Sequence, residues 1–599
     1  MTIVALKKVT LCGLLNEKRG LLSELQGLGC LHLKPLRSAP AEPEKAASPR
    51  AEEAYKALKF LSDMPNKRKQ VRRDPSFDVG KVVEQAREVQ ESLRDAEDRR
   101  DFLVHRIKQI EPWGDLTFPP QAELAGYRLW FYVLPAGKRK FLESLEIPWQ
   151  IVHLDQRRAY VVLLAEEEPP SDILPVDRIH TGALPLEMLK QQLEEVEVEI
   201  ESLVAERQAL TRFVYLLSVN LAKSEDAAAL NHATEQTHDE PDIFAVQGWV
   251  PVPALTEVRA FAEERGLACL IEEPEPDDSP PTLLDNPPEL GAATDLALFY
   301  QTPGYRSWDP ALVVFFSFAL FFAMIISDAG YALVMLALLG FYWGKLSVSA
   351  GGRRVRNLCG CLFGASLVWG VLAGGYFGVT PPDDSLLGWF HVIDLNNFDL
   401  MMKLSIIVGT LHIMLANGIV AYLNWQHYSV AFPKLGWNSV TLGGLVLWLS
   451  GGEGFFGILA WLLFLGGLAA IFWFSSERPF DNAKDAILRI VEGLKALTGL
   501  SGLFGDVLSY MRLFALGLAS ASLALTFNQL AVQVEEAVPG LGMLLAILIL
   551  LIGHVLNLGL AIMSGVVHGL RLNFIEFYKW GMSEEGYPFK AFARKEVQP

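Results

Sequence analysis

From Pro310 onward the chain carries eight apolar runs, roughly Pro310–Ile326, Gly330–Trp343, Leu358–Phe377, Met401–Leu423, Leu435–Leu449, Phe455–Phe474, Leu503–Leu530 and Leu541–Phe577. Segments of this kind satisfy their backbone polar groups in lipid only as helices or closed barrels, and their length and lack of alternation select helices. The charges between the runs orient the set. Lys345, Arg353, Arg354 and Arg356 follow the second run, Arg478, Lys484 and Arg489 follow the sixth, and Lys579, Lys590, Arg594 and Lys595 lie in the tail. The loop after the third run holds Asp383, Asp384, Asp394 and Asp399 with no Lys or Arg, and the loop after the seventh has Glu535 and Glu536. The expected topology is eight spans with both termini in the cytoplasm.

Within GDVLSYMRLFALGLASASLALTFNQLA, the seventh run, stands Arg512. An arginine well inside a membrane helix costs about 2.5–3.5 kcal/mol on insertion scales. Its charge persists at every working pH, so it requires an anion, water or a headgroup. Snorkelling accounts for many such residues near helix ends. The last run points elsewhere: His554, Asn557, Ala561, Ser564, His568 and Arg571 follow one another at spacings of 3, 4, 3, 4 and 3. That spacing predicts one helix face, and a polar face belongs against protein or a watery cleft. Hydrogen bonding to neighbouring helices would explain such a stripe structurally. Two arginines on successive spans, with a histidine one turn from the second, favour ion handling.

SYMRLFALGLASASLA and HGLRLNFIEF, followed by EEGYPFKAF, resemble the ion-channel stator subunit of the rotary vacuolar/archaeal-type ATPases, called subunit I in bacteria and subunit a in eukaryotes. The resemblance implies that Arg512 and Arg571 serve ion translocation. It implies as partners a proteolipid ring acting as rotor, the peripheral stalk subunits, and the central stalk with its ATPase head. It places the chain in a bacterial or archaeal cell membrane, in contact with lipid. A rotor carboxyl crosses lipid only when neutral, and Arg512 would favour its ionised form in a polar gap between two half-channels for H⁺ or Na⁺. Ser405, Gly409 and His412 share a face of the fourth run and suit the outer half-channel, which His554 and Asn557 could join. Asp506 and Glu576 suit the inner one, and His568 and Ser564 lie on the Arg571 face. Some eukaryotic relatives carry a glutamate seven residues before this histidine, where Ala561 stands here. If the last helix starts near Leu541, Arg571 lies about 45 Å along it at a rise of about 1.5 Å per residue. That exceeds the hydrocarbon thickness and implies a strongly tilted helix.

The first 300 residues read differently. The whole chain of 599 residues is 51% hydrophobic yet 20% charged, which suits two parts of unlike composition. Residues 1–50 and 235–290 are expected to form a proximal cytoplasmic α/β lobe, and residues 113–180 a distal one. Residues 51–112 and 181–230 form the shaft between them. Val82, Ala86, Val89, Leu93, Ala96, Leu103, Ile107 and Ile110 keep heptad spacing, as do Leu186, Leu189, Leu193, Val196, Ile200, Leu203, Leu210, Val214, Leu217 and Leu221. Two such arms flanking a compact segment predict an antiparallel coiled coil. GWVP and PPTLLDNP resemble landmarks of the family's cytoplasmic arm. Residues 300–599 are assigned to the eight-span domain.

The fold class is therefore an α-helical membrane protein with an N-terminal α/β dumbbell. MTIVALKKVT lacks an apolar signal core, so the first half is expected to stay cytoplasmic. A net charge of −17 argues against a nucleic-acid partner. Five cysteines form no zinc pattern, and there is no P-loop or Ser/His/Asp order. No nucleotide site, cofactor or metal is expected. Competing readings are a secondary transporter whose arginines bind an anionic substrate, and a non-conducting membrane scaffold; no convincing internal repeat supports the first.

Overall fold

The computed structural model describes residues 3–37, 49–114, 124, 126–170, 173–179, 185–382, 384–395, 397–478, 482–538, 540–582 and 584–595. Residues 38–48 of the expected proximal lobe, part of the expected distal lobe, and Asp383 lie outside them. The chain divides into two compact units, one of Cys12–Gln247 with the tail from Phe592, the other of Met1–Leu11 with Gly248–Ala591.

The first unit begins on β1 (Leu6–Leu14), a strand that straddles the boundary, followed by α1 (Lys18–Leu28) and β2 (His32–Lys34). Along β1, Leu6, Val9 and Leu11 are buried. Next come α2 (Pro49–Ser62) and α3 (Val79–Ile110). Asp78 caps α3, its carboxylate accepting from Gly80 N at 2.8 Å and Lys81 N at 3.3 Å. Strands β3 (Arg128–Pro135), β4 (Trp149–Leu154) and β5 (Arg158–Ala165) form an antiparallel sheet in the order β3-β5-β4. Its register pairs Arg128 with Ala165 and Pro135 with Arg158. Helices α4 (Leu186–Leu210) and α5 (Val214–Gln236) return the chain, and β6 (His238–Asp239) pairs with β7 (Ile243–Pro251).

The apolar stripe of α3 decides its partners. Ala96, Leu103 and Ile110 pack with Leu186, Leu189 and Val196 of α4. Towards its other end Val82, Ala86 and Val89 pack with Leu210, Phe213, Leu216 and Leu217, joined by Ala57 and Leu61 of α2. The two chain directions therefore oppose one another. Arg99 crosses to Glu199 at 2.7 Å. The two arginines at seam positions leave the seam: Arg100 pairs with Asp101, and Arg207 turns to the Phe60 carbonyl at 2.6 Å and lies over the Phe60 ring. The third helix, α2, is what accommodates Arg207.

The second unit holds α6 (Leu255–Glu264), β8 (Ala268–Glu272) and α7 (Gly291–Tyr300), then the long apolar helices. These are α8 (Ala311–Ile326), α9 (Ala329–Leu346), α10 (Ala350–Ala373), α11 (Phe398–Leu423), α12 (Tyr428–Ser450) and α13 (Gly454–Phe474). After α14 (Ala483–Leu497) and α15 (Gly499–Ser509) come α16 (Met511–Ala537), α17 (Gly542–Arg571), a π-helical turn over Leu572–Phe577, and α18 (Tyr578–Gly581). A helix stands at each expected apolar run. Six stretches among the described residues are long and apolar enough to cross a membrane. Two of them are composite: Ala483–Ala537 over 55 residues, turning at Thr498 and Tyr510, and Gly542–Gly581 over 40. Helix α8, with 16 residues, is shorter, and α12, which carries Pro433, Lys434 and Asn438, is not among the six.

The core of this unit gathers Val314, Phe321, Met324, Ile325, Ile413, Trp437, Tyr510, Leu513, Leu572 and Phe577. Helix α17 packs through a small-residue seam: Gly542, Ala546, Gly553, Asn557, Ala561, Gly565 and Gly569 are its buried positions. A Cβ on Gly553 would fall 2.3 Å from the Phe527 ring and one on Gly565 2.7 Å from that of Phe322, so neither position admits a larger residue at this separation. The expected polar stripe lies along one edge of this seam. Asn557 and Ala561 are buried, His554, Ser564 and His568 are half-buried, and Arg571 is exposed.

Candidate functional site

Arg512 is the second residue of α16, where the chain turns at Tyr510. Its guanidinium meets Glu576, from the π-helical turn, at 2.7 Å between Nη2 and Oε1. The Arg512 side chain is 28% exposed and that of Glu576 only 3%. Arg512 Nε and Glu576 Oε2 are buried and have no hydrogen-bond partner among the described residues. A π turn inserts an extra residue into the helical repeat, and such turns recur at functional sites. Here it turns Leu572, Asn573, Phe574, Glu576 and Phe577 inward. His568 lies close enough to feel the charges of both Arg512 and Arg571. Arg571 itself is exposed and makes no ion pair among the described residues.

Around this pair the sequence-derived candidates divide. Asp506 is bound, taking Lys579 Nζ at 2.7 Å and the indole Nε1 of Trp580 at 2.8 Å. His412 is 7% exposed; its ring stacks on Phe577 at 4.3 Å and its Nδ1 meets the Tyr510 hydroxyl at 2.8 Å. Ser405 is wholly buried, and its hydroxyl has no partner among the described residues. His412 is thus enclosed by aromatic rings beside the Glu576 turn rather than lining an open cleft.

His554 and Asn557 belong to a second assembly. Asn557 Nδ2 donates to the Tyr331 hydroxyl at 3.0 Å and to the Ser520 carbonyl at 2.9 Å. Tyr331, already accepting there, donates to His554 Nδ1 at 2.8 Å. That fixes the tautomer: His554 Nε2–H donates to Asn528 Oδ1 at 3.0 Å, and Asn528 Nδ2 donates to the Phe377 carbonyl at 2.8 Å. Every link is neutral. Beside it Asp328 is 5% exposed, capping α9 at Tyr331 N and accepting from Gly378 N at 3.0 Å. Asp328 lines a cavity of about 100 Å³ with His391, Asp394 and Ser522. Ser564 is half-buried and makes no hydrogen bond to either assembly among the described residues.

Sequence reasoning missed Tyr331, Tyr510, Asn528 and Asp328. Asp328 carried a signal, an acid flanked by apolar helices in the turn SDAG. The others are amphipathic or amide side chains whose partners lie more than two hundred residues away or on another helix, beyond any local pattern.

These features define a polytopic helical protein with a charged pair between its last two long helices and a neutral polar network farther along them. The comparisons agree with that class. The V-type ATP synthase subunit I of Chlamydia pneumoniae is 25% identical over 90% of this chain and 88% of its own length. That of Borreliella burgdorferi is 24% identical over 99% of both chains. The A-type ATP synthase subunit I of Methanocaldococcus jannaschii is 28% identical over 68% of this chain and 63% of its own. The crystal structure of the cytoplasmic N-terminal domain of subunit I, homolog of subunit a, of V-ATPase matches at 16% identity, covering 44% of this chain and 99% of that one, with a TM-score of 0.23. No family model matches. The chain is a relative of V-type and A-type ATP synthase subunit I along most of its length, as the motifs around Arg512 and Arg571 implied.

Proposed function

We propose that this chain is the membrane stator of a V/A-type rotary ATPase or ATP synthase, forming the ion path against a ring of proteolipids. The observation that carries the reading is Arg512: a permanent cation, only part exposed, held by one oxygen of a buried carboxylate and retaining an Nε without a partner among the described residues. A rotor carboxylate arriving at α16 would compete with Glu576 for the guanidinium fork, which can serve two anions. Pairing with Arg512 favours the ionised carboxyl and so releases its ion; moving away from Arg512 restores the neutral form that lipid tolerates. Glu576, relieved of Arg512 at that moment, becomes the acceptor on the inner side, with Asp506 and Lys579 at its mouth. Arg571, one turn beyond His568, holds the local potential positive and opposes a direct leak.

The outer half-channel runs, in this reading, through the cavity of Asp328, His391 and Asp394 to Tyr331, His554 and Asn557. Ser405 and His412 then shape the protein between the two paths. The helices α8 to α13, α16 and α17 are the eight spans. Helices α3 and α4 form a coiled-coil arm that resists torque and docks the stalk subunits, with the ATPase head as the driven partner. Isolation of the assembled complex tests the class: an ATPase head and small proteolipids should co-purify with this chain. Topology has its own check. A cysteine replacing Trp389, which is 81% exposed, should react with a membrane-impermeant maleimide added outside intact cells. Reaction only after permeabilisation would invert the arrangement.

A further inference from the structure

Helix α14 turns its apolar side the wrong way for a helix surrounded by water. Ile487, Ile490, Val491 and Leu494 stand at i, i+3, i+4 and i+7 and are 61%, 49%, 52% and 55% exposed. The buried position is instead Gly493, where a Cβ would fall 2.5 Å from the Phe472 carbonyl oxygen. An amphipathic helix of a soluble domain buries such a stripe against its core. This one presses its small residue to the protein and leaves the stripe outside.

Its attachments fix its level. Arg489 Nη2 donates to the Trp473 carbonyl at 3.0 Å, Ser476 Oγ donates to Glu492 at 2.5 Å, and Arg478 Nε donates to Glu492 at 2.8 Å. All these partners lie in the last turn of α13 or just after it, so α14 crosses the end of that span instead of running along it. Trp473 is 54% exposed at this end, the position aromatic residues favour at a membrane–water boundary. The charges are arranged to match. Arg478 takes up Glu492 at 2.8 Å and approaches Asp485 at 3.8 Å. Lys484 and Lys495 are exposed and make no ion pair among the described residues. Eleven residues apart, they return to within about 20° of each other around the helix, along one border of the apolar stripe.

We propose that α14 lies in the cytoplasmic surface of the membrane, with Ile487, Ile490, Val491 and Leu494 among the acyl chains and Lys484 and Lys495 at anionic lipid headgroups. Apolar burial and attraction to anionic lipid are the two terms that hold such a helix in an interface. Because only the short helix α15, between the turns at Thr498 and Tyr510, separates α14 from α16, the lipid surface then helps set where the Arg512 helix begins. The inference rests on reading α13 as a membrane span.

Spin labels on single cysteines, introduced into a cysteine-free version of the assembled complex, test it without reference to transport. The complex is reconstituted in phosphatidylethanolamine–phosphatidylglycerol vesicles. Labels at Ile487, Ile490, Val491 and Leu494 should collide several-fold more with dissolved oxygen than with an aqueous nickel chelate, and labels at Asp485 and Glu492 should show the reverse. In a Lys484→Gln, Lys495→Gln variant the four labels should shift towards the aqueous reagent in these vesicles and much less in pure phosphatidylcholine. Four labels equally open to the nickel chelate, or shielded from both reagents by protein, would overturn the proposal. An accessibility pattern that spares α13 of lipid contact would instead remove the span assignment beneath it.

Discussion

The charged pair at Arg512 and the neutral network at His554 lie on the same two helices and solve burial differently. In the network each donor has its acceptor, from Asn557 through Tyr331, His554 and Asn528 to the Phe377 carbonyl. A complete chain of neutral groups rigidifies a core and needs nothing further. The pair is incomplete, since Arg512 Nε and Glu576 Oε2 are both without a partner among the described residues. A half-satisfied ion pair in low dielectric is costly as architecture and suited to exchange. Under the proposed function, the contrast fits an exchanging charge at Arg512 and a conducting or supporting role for His554.

That difference predicts unequal consequences. Glu576→Ala strips Arg512 of the carboxylate it pairs with. Breaking a buried pair costs roughly 3–5 kcal/mol, and the partial exposure of Arg512 lowers the expectation to about 2 kcal/mol. Thermal unfolding in detergent should show the loss, with Glu576→Gln retaining a hydrogen bond and losing less. Tyr331→Phe removes the hydroxyl that joins Asn557 to His554, leaving one Asn557 N–H and His554 Nδ1 without that partner, for about 1–2 kcal/mol. If the network is only architecture, transport should follow stability; if it conducts, transport should fall further than stability does.

The smallest effect belongs to the other unit. Burial pulls the Glu225 carboxyl up, but hydrogen bonds from Lys595 and Tyr55 outweigh it and hold it below its ordinary value. A depressed folded value means the stabilisation is present above the unfolded carboxyl range near pH ~4.3 and is lost as pH falls through the folded one. Limited proteolysis should therefore find the tail at Phe592–Lys595 protected at neutral pH and increasingly cut below about pH 4. Glu225→Gln should flatten that profile.

The sequence was informative where periodicity governs. Val82 to Ile110 keep heptad spacing, and α3 buries that stripe against α4 along much of its length. Arg512 was legible because a charge within an apolar run is visible without neighbours. Its pairing with Glu576 was not. A spacing of five from Arg571 leaves the 3-4 rhythm, and only the π turn at Leu572–Phe577 brings that carboxylate inward. The surroundings of His412 were hidden for a related reason: its face on α11 reads as polar, and Phe577, Tyr510 and Phe321 close over it from three other segments.

The central claim is that the Arg512 cation exchanges between Glu576 and a rotor carboxylate. ATP-driven ion transport into vesicles by the complex carrying Arg512→Ala tests it, with assembly verified by co-purification of head and proteolipids. The account predicts assembly with transport lost, and severe impairment for Arg512→Lys, which keeps the charge but not the planar fork. Transport near the unmodified rate in a fully assembled Arg512→Ala complex would contradict it.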